Sequence, residues 1–242
     1  MTVSILQPRR ILAHGSATQN NVNHNLASTP AAGSKIFLGG FIDKATTATP
    51  PTGFTPLITR NNTSISYFLA WKVADGTELA LNVTFGDSTN NTCKTFSYVF
   101  SADADIDVYS YAPNPYVNTA VRSITAATTG ALGANPYMAI AMVGADSVGG
   151  INGGTNHRVD NDYTIAESNF TDSSPGGIPA IAIAEKFSLF DTAGEFVTYQ
   201  YDGSTTDQMG IMLAVIRDTN PAAPPSGQGK RLALLRNSRL AA

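Results

Sequence analysis

The chain holds three imidazoles, His14, His24 and His157, and one thiol, Cys93. Nucleophilic hydrolysis needs a base held beside its nucleophile. His14 and His24 flank or fall in the polar stretch GSATQNNVNHN, where nothing in the sequence fixes geometry, and Cys93 sits in NNTCK with no histidine near it. There is no Gly-x-Ser-x-Gly elbow, no phosphate-binding loop and no His-x-x-x-His pair. The run from Gly149 to Gly154 lacks the following lysine and helix that would make it a phosphate cradle. Carboxylates alternate at Asp103, Asp105 and Asp107, a spacing that can converge on Ca²⁺, yet Val108 and Asn114 stand where an EF-hand loop needs Gly and a bidentate Glu. A solvated strand edge kept from sticking by its charge accounts for the same residues, and Asp160 and Asp162 read the same way. With 18 acidic side chains, some pair is always available for glycoside cleavage, because the separation that matters is a property of the fold. Tyr109, Tyr111 and Tyr116 flank the Pro-rich turn YSYAPNPY and form the candidate glycan patch, since planar rings stack on sugar faces; capping the edge of a sheet is the competing role.

Whatever these groups do, strands must position them. Apolar residues fall on odd positions in Ser64 to Val73 (Ile65, Tyr67, Leu69, Trp71, Val73) and again at Leu79, Leu81, Val83 and Phe85, the period-2 pattern of one-sided strands. Conserved parity across Ala74-Asp75-Gly76 predicts a hairpin with a three-residue loop, Gly76 left-handed and Trp71 opposite Leu79 in the core. Further strands are predicted at 35–42, 54–58, 94–101, 106–111, 121–127, 137–143, 163–167, 180–187, 196–201 and 209–216, between turns rich in Gly, Pro, Asn and Asp. No stretch sustains helical spacing. The expected fold is all-β, an antiparallel sandwich of jelly-roll type with extended N- and C-terminal arms. The expected division is an N-terminal arm, 1–34, one sandwich domain, 35–218, and a Pro-rich linker with a basic tail, 219–242. No internal repeat survives residue-by-residue comparison.

Only 14% of the 242 residues are charged, against roughly 25% in ordinary soluble domains. A neutral polar surface of this kind suits a protein packed among copies of itself or its neighbours, and secreted β-proteins and lectins share it. Charge is unevenly spread: residues 219–242 hold Lys230, Arg231, Arg236 and Arg239 and no acid, which leaves 11 of the 15 bases against all 18 acids in the body, a net of −7. That balance does not fit nucleic-acid binding. A single cysteine, no leader pattern and no apolar run of membrane-spanning length predict a protein made in a reducing cytoplasm with no membrane partner. No cofactor or metal is expected.

The stretches FLAWKVADGTELALNVTFG, TFSYVFSAD and QYDGSTTDQMGIMLAVIRD resemble the β-sandwich structural proteins of tailed-bacteriophage virions, over about residues 35 to 218. The resemblance implies a non-enzymatic virion component of tail, fibre or baseplate, with head decoration as the alternative; it carries over no site residues. Its partners would be other copies of itself and neighbouring virion proteins, and a host surface glycan if the tyrosine patch is used. Pro221, Pro224 and Pro225 keep the linker extended at about 3 Å per residue, so Leu232, Leu234, Leu235 and Leu240 together with Lys230, Arg231, Arg236 and Arg239 are expected to form an assembly tail that reaches another subunit.

Overall fold

In the computed structural model, residues 3–14, 21–61, 65–86, 92–114, 121–127, 132, 136–145, 158–169, 180–188, 194–202 and 209–218 are described. They form sixteen strands: β1 (Ile5–His14), β2 (Asn21–Asn25), β3 (Lys35–Ile42), β4 (Ala48–Thr49), β5 (Thr55–Asn61), β6 (Ser66–Val73), β7 (Ala80–Phe85), β8 (Cys93–Phe100), β9 (Ala104–Asn114), β10 (Val121–Ala127), β11 (Tyr137–Ala145), β12 (Arg158–Val159), β13 (Thr164–Asn169), β14 (Ala180–Ser188), β15 (Phe196–Asp202) and β16 (Met209–Asp218).

All the pairings are antiparallel and build four sheets, ordered β2-β7-β4, β1-β8-β3-β6-β5, β13-β14-β11-β16-β9 and β10-β15-β12. The sheets stack as four layers with three apolar cores between them. The two five-stranded sheets are therefore covered on both faces, which is why burial runs continuously along β3, β8 and β11. In β3, Ile36, Leu38 and Ile42 enter one core while Phe37 and Phe41 enter the other. The outer strand β7 alternates strictly, with Leu81, Val83 and Phe85 in and Ala80, Asn82 and Thr84 out, as a strand with one wet face must.

The second half of the chain repeats the topology of the first, strand for strand. The order β1-β8-β3-β6-β5 becomes β9-β16-β11-β14-β13, and β2-β7-β4 becomes β10-β15-β12. In each half the first strand pairs the eighth and the second the seventh, the third pairs both the sixth and the eighth, and the fifth pairs the sixth, the nesting of a long hairpin folded over on itself. The correspondence extends to detail. β5 is bulged between Pro56 and Ile58, opposite Ala70 and Leu69; β13 is bulged between Ile165 and Glu167, opposite Ala184 and Ile183. This register equates Ala70-Trp71-Lys72-Val73 with Ala184-Glu185-Lys186-Phe187. The repeat is invisible to direct comparison because only alternate core positions and a few turn residues need to agree. Arg9 of β1 reaches β13 and β14, while Arg60 of β5 reaches β9. The halves thus face each other about a pseudo-twofold axis running roughly along the strands.

Across the central core the two faces are complementary rather than alike. The first half contributes rings (Phe37, Phe41, Tyr67, Phe96, Tyr98, Phe100), the second aliphatic and sulfur side chains (Met138, Ile140, Met142, Ile181, Ile183, Met212). Gly144 and Gly210 complete the fit, since a Cβ on Gly144 would overlap the ring of Phe41 and one on Gly210 that of Tyr67.

Three expectations are corrected here. Residues 5–14 and 21–25 are not an arm: β1 lies at the edge of a five-stranded sheet against β8, and β2 lies against β7. The hairpin does not form, because β6 and β7 belong to different sheets and the turn between them is an arch that changes layer. Trp71 is partly buried opposite Phe37 and Thr55, whereas Leu79 is 50% exposed. Equal parity marked no shared core: the odd residues of β6, Tyr67 and Leu69, enter the central core, while those of β7, Leu81, Val83 and Phe85, enter the outer one, which β6 faces through Phe68. Gly76 does take positive φ, +92°, and the arch is held by Glu78, whose carboxylate accepts from the Asp75, Gly76 and Thr77 amides. The expected sandwich domain is internally duplicated, its halves joined at 101–103 and sharing the central core. Residues 219–242, and with them the basic tail, lie outside the described residues, as do Tyr116, His157 and the 149–154 loop.

Candidate functional site: the seam between the halves

Where the edges of the two central sheets meet, side chains with chemical capacity gather from both halves. Arg9 projects from β1; its Nη1 donates to Glu185 Oε1 on β14 at 3.0 Å, its Nη2 donates to the Ala166 carbonyl at the β13 bulge, and its Nε lies 3.6 Å from Glu167 Oε2. Tyr98 of β8 donates its hydroxyl to Glu185 Oε1 at 2.7 Å. The one carboxylate of Glu185 thus ties two strands of the first half, β1 and β8, to β14 of the second. Beside this knot opens a cleft of about 510 Å³ lined by Arg9, Asp162, Thr164, Glu185, Lys186 and Phe187, large enough for a small ligand. Phe187 stands 51% exposed at its rim, and Asp162 sits in a turn at φ 65° beside Asn161 at 58°.

The electrostatics separate the two carboxyls by role. Glu185 is an acceptor engaged by a guanidinium and a phenol. Glu167 is displaced upward, chiefly by burial, with the opposing pull of Arg9 and a further rise from Glu185, so it is the group at this seam that holds a proton more readily than an ordinary glutamate. Burial, reinforced by the Glu185 charge, pushes the Tyr98 phenol well up, which keeps it a hydrogen-bond donor. The bulge at Ala166 aims both Glu167 and the Ala166 carbonyl at Arg9.

The opposite seam, between β5 and β9, is where the glycan patch was expected. Tyr109 and Tyr111 do share the exposed side of β9. Arg60, however, covers the Tyr111 ring at 4.0 Å from its centroid, and Tyr67 packs beside it at 6.5 Å. That ring closes the seam and has one face fewer to offer a sugar. Asp105 is exposed on β9, its Oδ1 accepting from the Ile106 amide, and Asp103 lies in the preceding turn; of the Asp107 side chain nothing is described. Among the described residues, no three His, Cys, Asp or Glu side chains are placed to hold a metal.

Two clusters were missed. His24 is buried between β2 and β8, its Nδ1 2.7 Å from Thr95 Oγ1 and its Nε2 2.7 Å from Ser97 Oγ, while His14 Nε2 meets the same Thr95 hydroxyl at 2.9 Å. The alternation Val22, His24, Leu26 against exposed asparagines was the available signal. The second cluster is a pair of equivalent ion pairs. Lys72 meets Glu78 and Asp75 at the arch of the first half, and Lys186 meets Glu195 at 3.0 Å in the second, where Tyr137 also donates to Glu195. Cys93 is buried, and burial pushes its thiol far up, so it is not a nucleophile.

No family model, no curated protein and no solved structure matches this chain.

Proposed function

We propose that this protein is a non-enzymatic structural component of a bacteriophage virion, belonging to the tail, its fibres or its baseplate, and packing there with copies of itself and neighbouring virion proteins. Made in the host cytoplasm, it works in the particle. The observation that supports a scaffold is how its reactive groups are used. Glu185 is held by Arg9 and Tyr98, Glu195 by Lys186 and Tyr137, Glu78 by Lys72 and three amides, and His24 by Thr95 and Ser97. Each of these side chains ties one layer or one turn to the next. The resemblance of the strands to phage β-sandwich proteins and the low charge of the surface point the same way. Immunogold labelling of intact particles tests the reading: signal at one defined part of the virion is expected, and its absence from purified particles overturns it. Labelling over the whole capsid would make the protein a head decoration instead. Truncation after Asp218 is expected to leave the fold intact by circular dichroism and to impair incorporation.

One observation favours a second role, recognition of a host glycan. The seam cleft places an exposed ring, Phe187, beside alternating donors and acceptors at Arg9, Thr164, Glu185 and Asp162, the combination that stacks on and hydrogen-bonds a sugar. A glycan array with the intact protein and Phe187→Ala decides it: saturable binding lost in the variant is expected, and binding lost only on Tyr111→Ala would move the site to the opposite seam.

A further inference from the structure

Among the described residues seven large apolar side chains are strongly exposed, and four of them flank the two arches. Val73 and Phe187 are equivalent in register, each one residue beyond the paired lysine; Leu79 and Phe196 each follow the paired glutamate, Leu79 in line with the inward Leu81 and Phe196 on the outward side of β15. Their exposures are 46% and 50% in the first half and 51% and 46% in the second. Single exposed apolar residues are unremarkable. Two apolar residues astride a lysine–glutamate pair at each arch are a feature that both halves carry.

Both pairs lie at one end of the molecule. Val73 pairs with Lys35 at the start of β3, and Phe187 with Met138 at the start of β11. These starts adjoin, because Phe37 and Phe100 line the same gap as Ile106 and Ile216, and Ile216 pairs with Met138. Asp218, at the end of β16, is at this end too, beyond Ile216 and opposite Ala104. Here the chain continues into 24 residues outside the described set, which carry four leucines, four cations and no acid.

We infer that the end of the molecule carrying Val73/Leu79 and Phe187/Phe196 is a docking surface for the C-terminal segment Lys230–Ala242 of a second copy of this chain. The occupant follows from chemistry and reach. Leu232, Leu234 and Leu235 lie on one side of Arg236 and Arg239 and Leu240 on the other, so a single segment offers an apolar group to each pair with cations between. The receiving body is acidic by a net of −7, which favours and orients a basic ligand. A second copy is favoured over the same chain by the spacer's composition: Thr219–Gly229 holds Pro221, Pro224 and Pro225, which favour an extended chain, and eleven such residues at about 3 Å each can span on the order of 30 Å. The inference rests on the assembly reading above, and its test is run in solution without particles.

Trypsin cuts after Lys230, Arg231, Arg236 and Arg239, and the C-terminal peptides released from the full chain are followed by mass spectrometry. Cleavage tracks the undocked population, so its rate per molecule is expected to fall about tenfold as protein concentration is raised. It is expected to stay high at every concentration in the double variant Leu79→Ser/Phe196→Ser, whose circular dichroism should match the parent. Leu232→Ser/Leu235→Ser, which leaves the body untouched, is expected to lose protection equally. Cleavage independent of concentration, or protection retained in either variant, overturns the inference. Protection at all concentrations that the Leu79→Ser/Phe196→Ser variant abolishes also overturns it, by assigning the surface to the same chain's tail. Particle labelling fails or succeeds independently of all these outcomes, so loss of the virion reading and loss of the docking surface are told apart.

Discussion

His24 is a side chain whose protonation this fold opposes. Burial, with smaller contributions from the His14 and Arg10 charges, lowers its pKa to about 3 from an ordinary 6.5. Between those values the unfolded chain takes up a proton that the folded chain refuses, so stability is complete above about 6.5 and is lost as pH falls toward 3. Each unit of depression is worth about 1.4 kcal/mol, and denaturant melts at pH 7 and pH 4 should therefore differ by a few kcal/mol. His24→Gln should flatten that acid limb, and a variant that keeps the full dependence would place the titration elsewhere. In the second half Glu195, the counterpart of Glu78, is a second buried ionisable group. It is 1% exposed between Lys186 and Tyr137, and truncating one partner of a buried pair leaves the other charge uncompensated. Glu195→Ala is expected to cost about 3 to 5 kcal/mol in chemical denaturation; a cost near zero would mean that Lys186 reaches water freely.

Among the elements, the central strands are defined by what faces them. β3 and β6 are buried on both sides, so each side chain must suit one of two different cores. The contact of Phe41 with Gly144 shows how tightly the halves are matched, because residues at equivalent positions in β3 and β11 meet as the largest and smallest possible partners. Gly144→Leu should destabilise the protein by about 1 to 3 kcal/mol through overpacking. Phe41→Ala alone should cost about 3 to 5 kcal/mol through the cavity it leaves. The two together should cost less than the sum, since each relieves the other; strict additivity in a double-mutant cycle would show that the two faces do not touch there.

The whole molecule behaves as two nested sandwiches sharing one central core. Splitting the chain in the 101–103 connection would expose rings on one fragment and methionine and isoleucine on the other, both too apolar to remain in water. Co-expressed fragments 1–102 and 103–242 are expected to co-purify as a one-to-one complex by size exclusion, and each expressed alone is expected to aggregate. Two soluble, monomeric fragments would mean that the central core is not the principal tie between the halves.

Sequence alone determined the local structure, because strand formation depends on period, β-branched and aromatic content and turn residues. Lys35–Ile42 and Val121–Ala127 coincide with β3 and β10, most of the other expected strands agree to within a few residues, and Gly76 is left-handed as its turn requires. What it left open was which sheet each strand joins. β1 and β2 read as an arm because the polar stretch GSATQNNVNHN offers little apolar surface, when hydrogen bonds to Ser28, Thr95 and Ser97 bury Gln7 and His24 and Glu185 engages the partly exposed Arg9. Trp71 and Leu79 read as cross-strand partners because parity records that a strand has an apolar face and not which core that face enters. Tertiary structure decided that question, the duplication and the seam cleft together, since Arg9 and Glu185 lie 176 positions apart in the chain. Only the stacking of the two halves brings them within 3.0 Å.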